Sequence, residues 1–316
     1  LLAVLAGQPD AARAVEPTTA LAAGGLRFVR NDVLELLAED LSVSPQEVRV
    51  VYRVRNRTTS PVRYQLAVPF PPIDAGTPEA FNVALPAADE ENFIDLRLTV
   101  DGRPVTPLVF QRAVALGVDR TAEITALGLP LNPRAPGVLQ RLKDLAADKR
   151  TEVNRLGLAS VEGESIEPAW RYEVTFHWEQ AFPAGREVVI EQRYRPVIGT
   201  GSFDLAMLED RHYRARYCMD DAFLRIARSR LSAIRRSAHP YLEEIRLTHL
   251  LSTGRSWSGP AKSFRLLIDK GEADALVSLC VKGMRRISST QLEMTANDFV
   301  PERDLDILIV RRHKEQ

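Results

Sequence analysis

Five histidines, His177, His212, His239, His249 and His313, are the side chains with which this sequence could do acid–base or metal chemistry near neutral pH. Their spacing supports neither. No two stand at i, i+4 and no H-E-x-x-H run occurs, so a zinc site has no local framework. His177 alternates with Glu173 and Glu179 on the polar side of a strand-like run and reads as solvated. His249 shares parity with Ile245, Leu247 and Leu251, which suits a hydrogen-bonded core histidine. Asp220-Asp221 suits a helix cap and Glu243-Glu244 a solvated edge. His249, His212, Asp220 and Asp221 are nonetheless the polar cluster from which a hydrolytic site could be assembled.

Nucleophile and nucleotide motifs are also missing. A G-x-S-x-G elbow does not occur, and the nearest run, Ser256-Trp257-Ser258-Gly259, stops at Pro260. Gly199-Thr200-Gly201-Ser202 lacks the lysine of a phosphate-binding loop and reads as a linker. No catalytic residue, metal or cofactor is therefore expected. Binding chemistry has two candidates. Arg255 and Trp257 stand in a Gly/Ser-rich loop, where an aromatic ring offers a stacking surface for a sugar or peptide or else folds back onto the protein. Arg225, Arg228, Arg230, Arg235 and Arg236 line one side of a helical segment without interleaved aromatics, which reads as a solvated face rather than an anion-binding one.

Composition agrees with an ordinary globular chain. Of 316 residues, 45% are hydrophobic and 27% charged, and 42 basic residues balance 42 acidic ones. No global field draws the chain to nucleic acid, which is not expected as a partner. No run of 18 apolar residues could span a bilayer as a helix. Residues 1–14 read as a signal peptide remnant: an apolar run from Leu1 to Gly7, then Ala12-Arg13-Ala14 in the small-x-small form of a cleavage site. A short buried helix is the alternative. Export to the periplasm or medium would permit an oxidised pair between Cys218 and Cys280. Closing that loop would constrain the unfolded chain by roughly 4 kcal/mol on the entropy model; two buried thiols are the alternative.

These residues need strands to hold them. In EVRVVYRVRN, Val48, Val50, Tyr52 and Val54 share one face and Arg49, Arg53 and Arg55 the other. Val62, Tyr64, Leu66 and Val68 repeat the pattern after a turn, so the two runs read as an antiparallel hairpin. Ile94 to Val100 alternates up to Asp101-Gly102, a hairpin signal. From about 108 to 160 the period turns helical, with Asp119 placed to cap a helix ending near Leu127 and Val138, Leu139, Leu142, Leu145 and Ala146 as an apolar stripe. Trp170, Tyr172, Val174, Phe176 and Trp178 then share a strand face, and Val188, Ile190 and Tyr194 form the expected return strand. A helix follows, with Phe223, Leu224, Ala227 and Leu231 as its buried stripe, and then strands, including ones near Ile287–Met294 and Leu305–Val310. The expected fold is mainly β (α+β): a β-sandwich over 15–200 with a helical insertion at about 108–160, and a helix plus β unit over 201–316.

Several runs together resemble the exported bacterial family known as domain of unknown function 4424. They are LAAGGLRF (21–28), EDLSVSPQEVRVVYRVRN (39–56), VPFP (68–71), VDGRPVTP (100–107), FHWEQAFPAGREVVIEQRYRP (176–196), YCMDD (217–221), TGRSWSGPAKSFRLLIDKG (253–271) and DFVPERDLDILIV (298–310). The resemblance implies export and agrees with a bond between Cys218 and Cys280. It implies no activity, ligand or catalytic residue. The first strands are also similar to vault/inter-alpha-trypsin domains, which are β-sandwich interaction modules. The function expected is a non-enzymatic binding or envelope-associated module with an envelope protein or glycan as partner. A hydrolase of envelope material, with its site at the boundary of the two units, is the second expectation.

Overall fold

A strand whose side chains alternate apolar and charged must lay one face on a core and leave the other to water, and stacking such faces generates this architecture. The computed structural model describes residues 27–28, 33–70, 72–75, 83–84, 91–234, 241–251 and 259–313. The chain begins with β1 (Arg27–Phe28), β2 (Leu34–Val43), β3 (Val48–Asn56), β4 (Val62–Pro69), β5 (Ile73–Asp74), β6 (Val83–Ala84), β7 (Arg97–Val100), β8 (Arg103–Val105), β9 (Leu108–Ala115) and β10 (Val118–Asp119). Next come α1 (Thr121–Ala126), α2 (Val138–Lys143), α3 (Ala147–Arg155), β11 (Ala159–Glu162), β12 (Ser165–Pro168), β13 (Arg171–Phe182), β14 (Glu187–Tyr194) and β15 (Ile198–Phe203). The remainder holds α4 (Leu205–Glu209), α5 (Arg211–Tyr217), α6 (Asp221–Ile234), β16 (Leu242–His249), β17 (Ala261–Asp269), β18 (Leu276–Leu279), β19 (Arg285–Arg286), β20 (Gln291–Phe299) and β21 (Leu305–Arg312).

Among the described residues, three large sheets form. The widest has eight strands in the order β19-β20-β17-β2-β3-β14-β7-β8, antiparallel except for the parallel pair β2–β17. A six-stranded sheet runs β1-β4-β13-β9-β10, with β5 also on β13, and a five-stranded sheet runs β18-β21-β16-β15-β6. One continuous apolar core joins all three: Leu41, Val50, Ile190 and Phe264 of the widest sheet meet Val68, Val174 and Phe176 of the second and Ile245, Leu247 and Ile307 of the third. Each such side chain contributes roughly 1.5–3 kcal/mol on burial. The protein is a mainly β, sandwich-like molecule. Its widest sheet takes strands from both sides of residue 200, so the two expected units share a sheet.

Both expected hairpins of the N-terminal half are instead crossings between sheets. β3 pairs with β2 and β14, while β4 pairs with β1 and β13. β13 and β14 likewise lie in different sheets. Alternation fixes which face is buried and leaves the partner strand open; Asn56 braces the arrangement found here. This wholly buried side chain donates from Nδ2 to the carbonyls of Ser60 and Phe182, both at 2.9 Å, and accepts at Oδ1 from the Thr58 amide and hydroxyl. All its hydrogen-bonding capacity is used, and the two crossings are tied side by side. The expected Asp101-Gly102 hairpin does form, with both residues at positive φ.

The helical insertion is shorter than expected, because residues 108–115 form β9 on β13 and the chain returns to strand at β11. Asp119 Oδ1 accepts from the Thr121 amide as α1 begins. In α2, Val138 and Leu142 are buried but Leu139 is exposed, since a helix of six residues presents only one narrow stripe. α1–α3 enclose a second core around Trp170, whose Nε1 donates to the Leu131 carbonyl. In α6, Phe223, Leu224, Ala227 and Leu231 are buried as expected, and Asp220 Oδ1 caps it by accepting from the Phe223 amide at 2.7 Å.

Asn56→Ala is expected to lower the unfolding free energy by about 3 kcal/mol, the sum expected for several lost buried hydrogen bonds. Urea unfolding of the variant beside the parent measures it, and a loss below about 1 kcal/mol would show that Asn56 does not hold the crossings.

Candidate functional site

The sequence-derived polar cluster is split by the fold. On β16, Ile245, Leu247 and His249 face the large inter-sheet core, whereas Leu242 and Glu244 face α4–α6. His249 is therefore on one side of the five-stranded sheet. His212, on α5, and Asp220 and Asp221, at the start of α6, belong to the helices on the other side and are exposed. Asp220 serves as the helix cap, and the Asp210 carboxylate accepts from the His212 amide. No hydrolytic constellation is built from these residues. Arg255 and Trp257 lie outside the described residues, as do Arg235 and Arg236; Arg225 and Arg228 are exposed on α6.

Cys218 and Cys280 are joined by a disulfide with Cα atoms 5.0 Å apart. Cys218 closes α5 in the left-handed conformation at φ 51°, and Cys280 follows β18 directly. The Ser278 hydroxyl donates to the Tyr217 carbonyl at 2.9 Å, so β18 is fastened to the end of α5 twice. The pair is structural.

A different group of polar residues comes together inside the molecule. Besides Asn56, the face of the eight-stranded sheet that meets the other two carries polar side chains amid aliphatic ones at Glu39 on β2, Tyr52 on β3, and Gln192 and Tyr194 on β14. Glu39 stands directly across from Tyr52, and Tyr52 across from Ile190, which places Gln192 diagonal to Tyr52. Gln192 and Tyr194 are two residues apart on one strand and so point the same way. The Tyr194 hydroxyl reaches over to His249 Nδ1 at 2.9 Å, linking the widest sheet to the five-stranded one. Its ring also packs edge-on against Phe70 at 5.4 Å, beyond the end of β4. Tyr194 thus touches all three layers.

This track is buried and incompletely satisfied. Gln192 is wholly buried with neither Oε1 nor Nε2 hydrogen-bonded, and His249 Nε2 has no partner. Such atoms ordinarily find protein or water partners, and each one left bare costs about 1–3 kcal/mol. Burial favours the neutral forms of Glu39, pushed up from 4.5 to about 8, of His249, pushed down to about 3, and of the Tyr194 phenol, which is raised. The interior surface offers an amide, an imidazole, phenols and a carboxyl. Among the described residues no group of acidic, histidine or cysteine side chains could hold a metal ion.

Sequence reasoning missed most of this. Glu39 reads as an ordinary charge next to Asp40, and a β-bulge between Leu36 and Ala38 is what turns it inward and Asp40 outward. Gln192 in VVIEQRY did carry a signal, since it shares parity with Val188, Ile190 and Tyr194. Gly199-Thr200-Gly201-Ser202 is strand β15 rather than a linker: its glycines make room for the side chains of Arg246 and Glu244 on the neighbouring strand, which a Cβ would meet at 3.2 and 3.0 Å.

A solved structure with this fold comes from Legionella pneumophila subsp. pneumophila, a protein described as a "putative nutrient binding protein". It is 15% identical, with 91% of this chain and 70% of that chain covered at a TM-score of 0.50. A variant of the M1 zinc metallopeptidase of Deinococcus radiodurans aligns over 87% of this chain and 42% of its own, at 9% identity and a TM-score of 0.24, too low to carry an argument. No curated protein matches the sequence. The chain belongs to the family domain of unknown function DUF4424, which matches residues 14–308.

The two shifted groups give opposite stability slopes. Glu39, raised to about 8, lets the unfolded state release a proton first, so its contribution falls as pH rises from 4.5 to about 8. His249, lowered from 6.5 to about 3, lets the unfolded state bind a proton first, so its contribution falls as pH drops below 6.5. The two slopes offset each other between 4.5 and 6.5, so denaturant unfolding across pH should show Glu39→Gln flattening the fall between 6.5 and about 8 and His249→Phe flattening the fall between 4.5 and about 3. Unchanged limbs would place both groups in solvent.

Proposed function

We propose that this protein is a non-enzymatic binding module, exported from the cytoplasm, that encloses a small polar molecule in the track between its sheets. The observation that carries this reading is the set of bare, fully buried hydrogen-bonding atoms on Gln192 and His249 at the meeting point of three sheets. Buried polar groups without partners destabilise a fold, so their place in an otherwise apolar core suits a ligand that completes them. The expected halves, 15–200 and 201–316, would each contribute: Glu39, Gln192 and Tyr194 from the first, His249 from the second. The fold shared with a protein described as a "putative nutrient binding protein" is compatible with this reading. Export is supported by the signal-like residues 1–14 and by the Cys218–Cys280 bond. No described helix is long and apolar enough to cross a membrane.

Gln192→Leu should raise the unfolding free energy by about 1–3 kcal/mol while abolishing binding. Thermal shift against a panel of sugars, amino acids and amines tests both halves. The expected result is a compound that stabilises the parent and fails to stabilise Gln192→Leu or His249→Phe. A panel without effect on the parent, together with a destabilised Gln192→Leu, would reduce the track to a packing feature. In fractionated cells the disulfide-bonded protein should be found outside the cytoplasm; recovery inside with reactive thiols would refute export.

A further inference from the structure

Among the described residues, the buried carboxylates have partners, with the exception of Glu39. Glu173 is met by Arg112 at 2.5 Å and Arg171 at 2.8 Å. Glu244 accepts from the Tyr213 hydroxyl and pairs with Arg246. Glu39 is buried to the same degree, 8% exposed against 8% for Glu173, yet no side chain among the described residues donates to it and no cation stands near it. Burial alone acts on it.

Its surroundings are aromatic. In the ladder, Glu39 lies between Tyr52 on β3 and Phe264 on β17, directly across from each, and Phe264 stacks on Phe299 of β20 with ring centroids 4.0 Å apart. A buried carboxyl between two aromatic residues, with no cation beside it among the described residues, has the composition that recognises an ammonium group, whose arrival would ionise the acid: charge pairing at the carboxylate and cation–π contact at the rings. The β-bulge between Leu36 and Ala38 gives this strand the register that aims Glu39 inward.

We propose that Glu39, Tyr52 and Phe264 form the cation subsite of the enclosed track, and that the ligand is a small organic ammonium ion whose uncharged hydrogen-bonding groups reach Gln192. The inference rests on the reading of the track as a binding site and adds the charge class of its occupant. An anionic ligand would meet a carboxyl there and, among the described residues of the track, no arginine or lysine. Tyr52 supplies its ring to this subsite, whatever its hydroxyl bonds to.

Calorimetric titration of the intact protein with choline, 4-aminobutanol and glucosamine tests it, with 3,3-dimethylbutanol, butanediol and glucose as the respective uncharged counterparts. At least one ammonium compound should bind, its counterpart should not, and Glu39→Gln should weaken binding by about ten- to a hundredfold. Circular dichroism confirms that the isosteric variant is folded, and Phe264→Leu provides a second variant that should weaken binding while leaving Glu39 in place. Binding that is equal in Glu39→Gln, or the absence of binding by every ammonium compound, overturns the proposal. If an uncharged compound instead binds the parent and is lost in Gln192→Leu but not in Glu39→Gln, the track is a binding site and only the ammonium assignment fails.

Discussion

One inner surface carries the rest of the structure: the face of the eight-stranded sheet on which both smaller sheets rest. Its strands come from residues 34–105, 187–194 and 261–299, so the sheet is complete only when distant parts of the chain have met. The parallel contact of β2 with β17 is the seam. It pairs residues more than two hundred positions apart, and such contacts form only after a large loss of chain entropy. The disulfide acts on a smaller scale. It holds the α5 end to β18 and thereby keeps the helical cover on the outer face of the five-stranded sheet.

The same surface explains why polar side chains inside it matter. Where two sheets are pressed together around aliphatic residues, an amide or imidazole has no water to turn to. Asn56 meets that condition by using all its hydrogen-bonding capacity within the protein. Tyr194 and His249 meet it partly, through each other. Gln192 does not meet it at all. The contrast between Asn56 and Gln192, two buried carboxamides on neighbouring strands of one sheet, separates a residue whose hydrogen bonds hold the fold from one whose polar atoms are left bare.

The outer face of the widest sheet is held differently. Arg49 with Glu191, and Arg265 with Asp40 and Glu293, form cross-strand ion pairs at half-exposed positions, while Arg193 meets Glu191 along β14 and Glu47 just before β3. Pairs of this kind contribute about 0–1 kcal/mol each in solvent. They keep a broad sheet face charged and matched in sign, consistent with equal numbers of acidic and basic residues in the chain.

By itself the sequence determined the secondary structure class, the buried face of most strands, the buried stripe of α6, the Asp101-Gly102 hairpin and the family, because each is a local or periodic property of neighbouring residues. Even the burial of His249 followed from its parity with Ile245 and Leu247. Only the tertiary structure decided which strand lies beside which. Period two gives a strand its inward face but not its partner, and so Val48–Asn56 and Val62–Pro69, adjacent in sequence, sit in different sheets. The polar track depends wholly on that choice. Glu39, Gln192 and His249 are far apart along the chain, one turned inward by a bulge that alternation cannot foresee, and they share an interior only because three sheets close over one face.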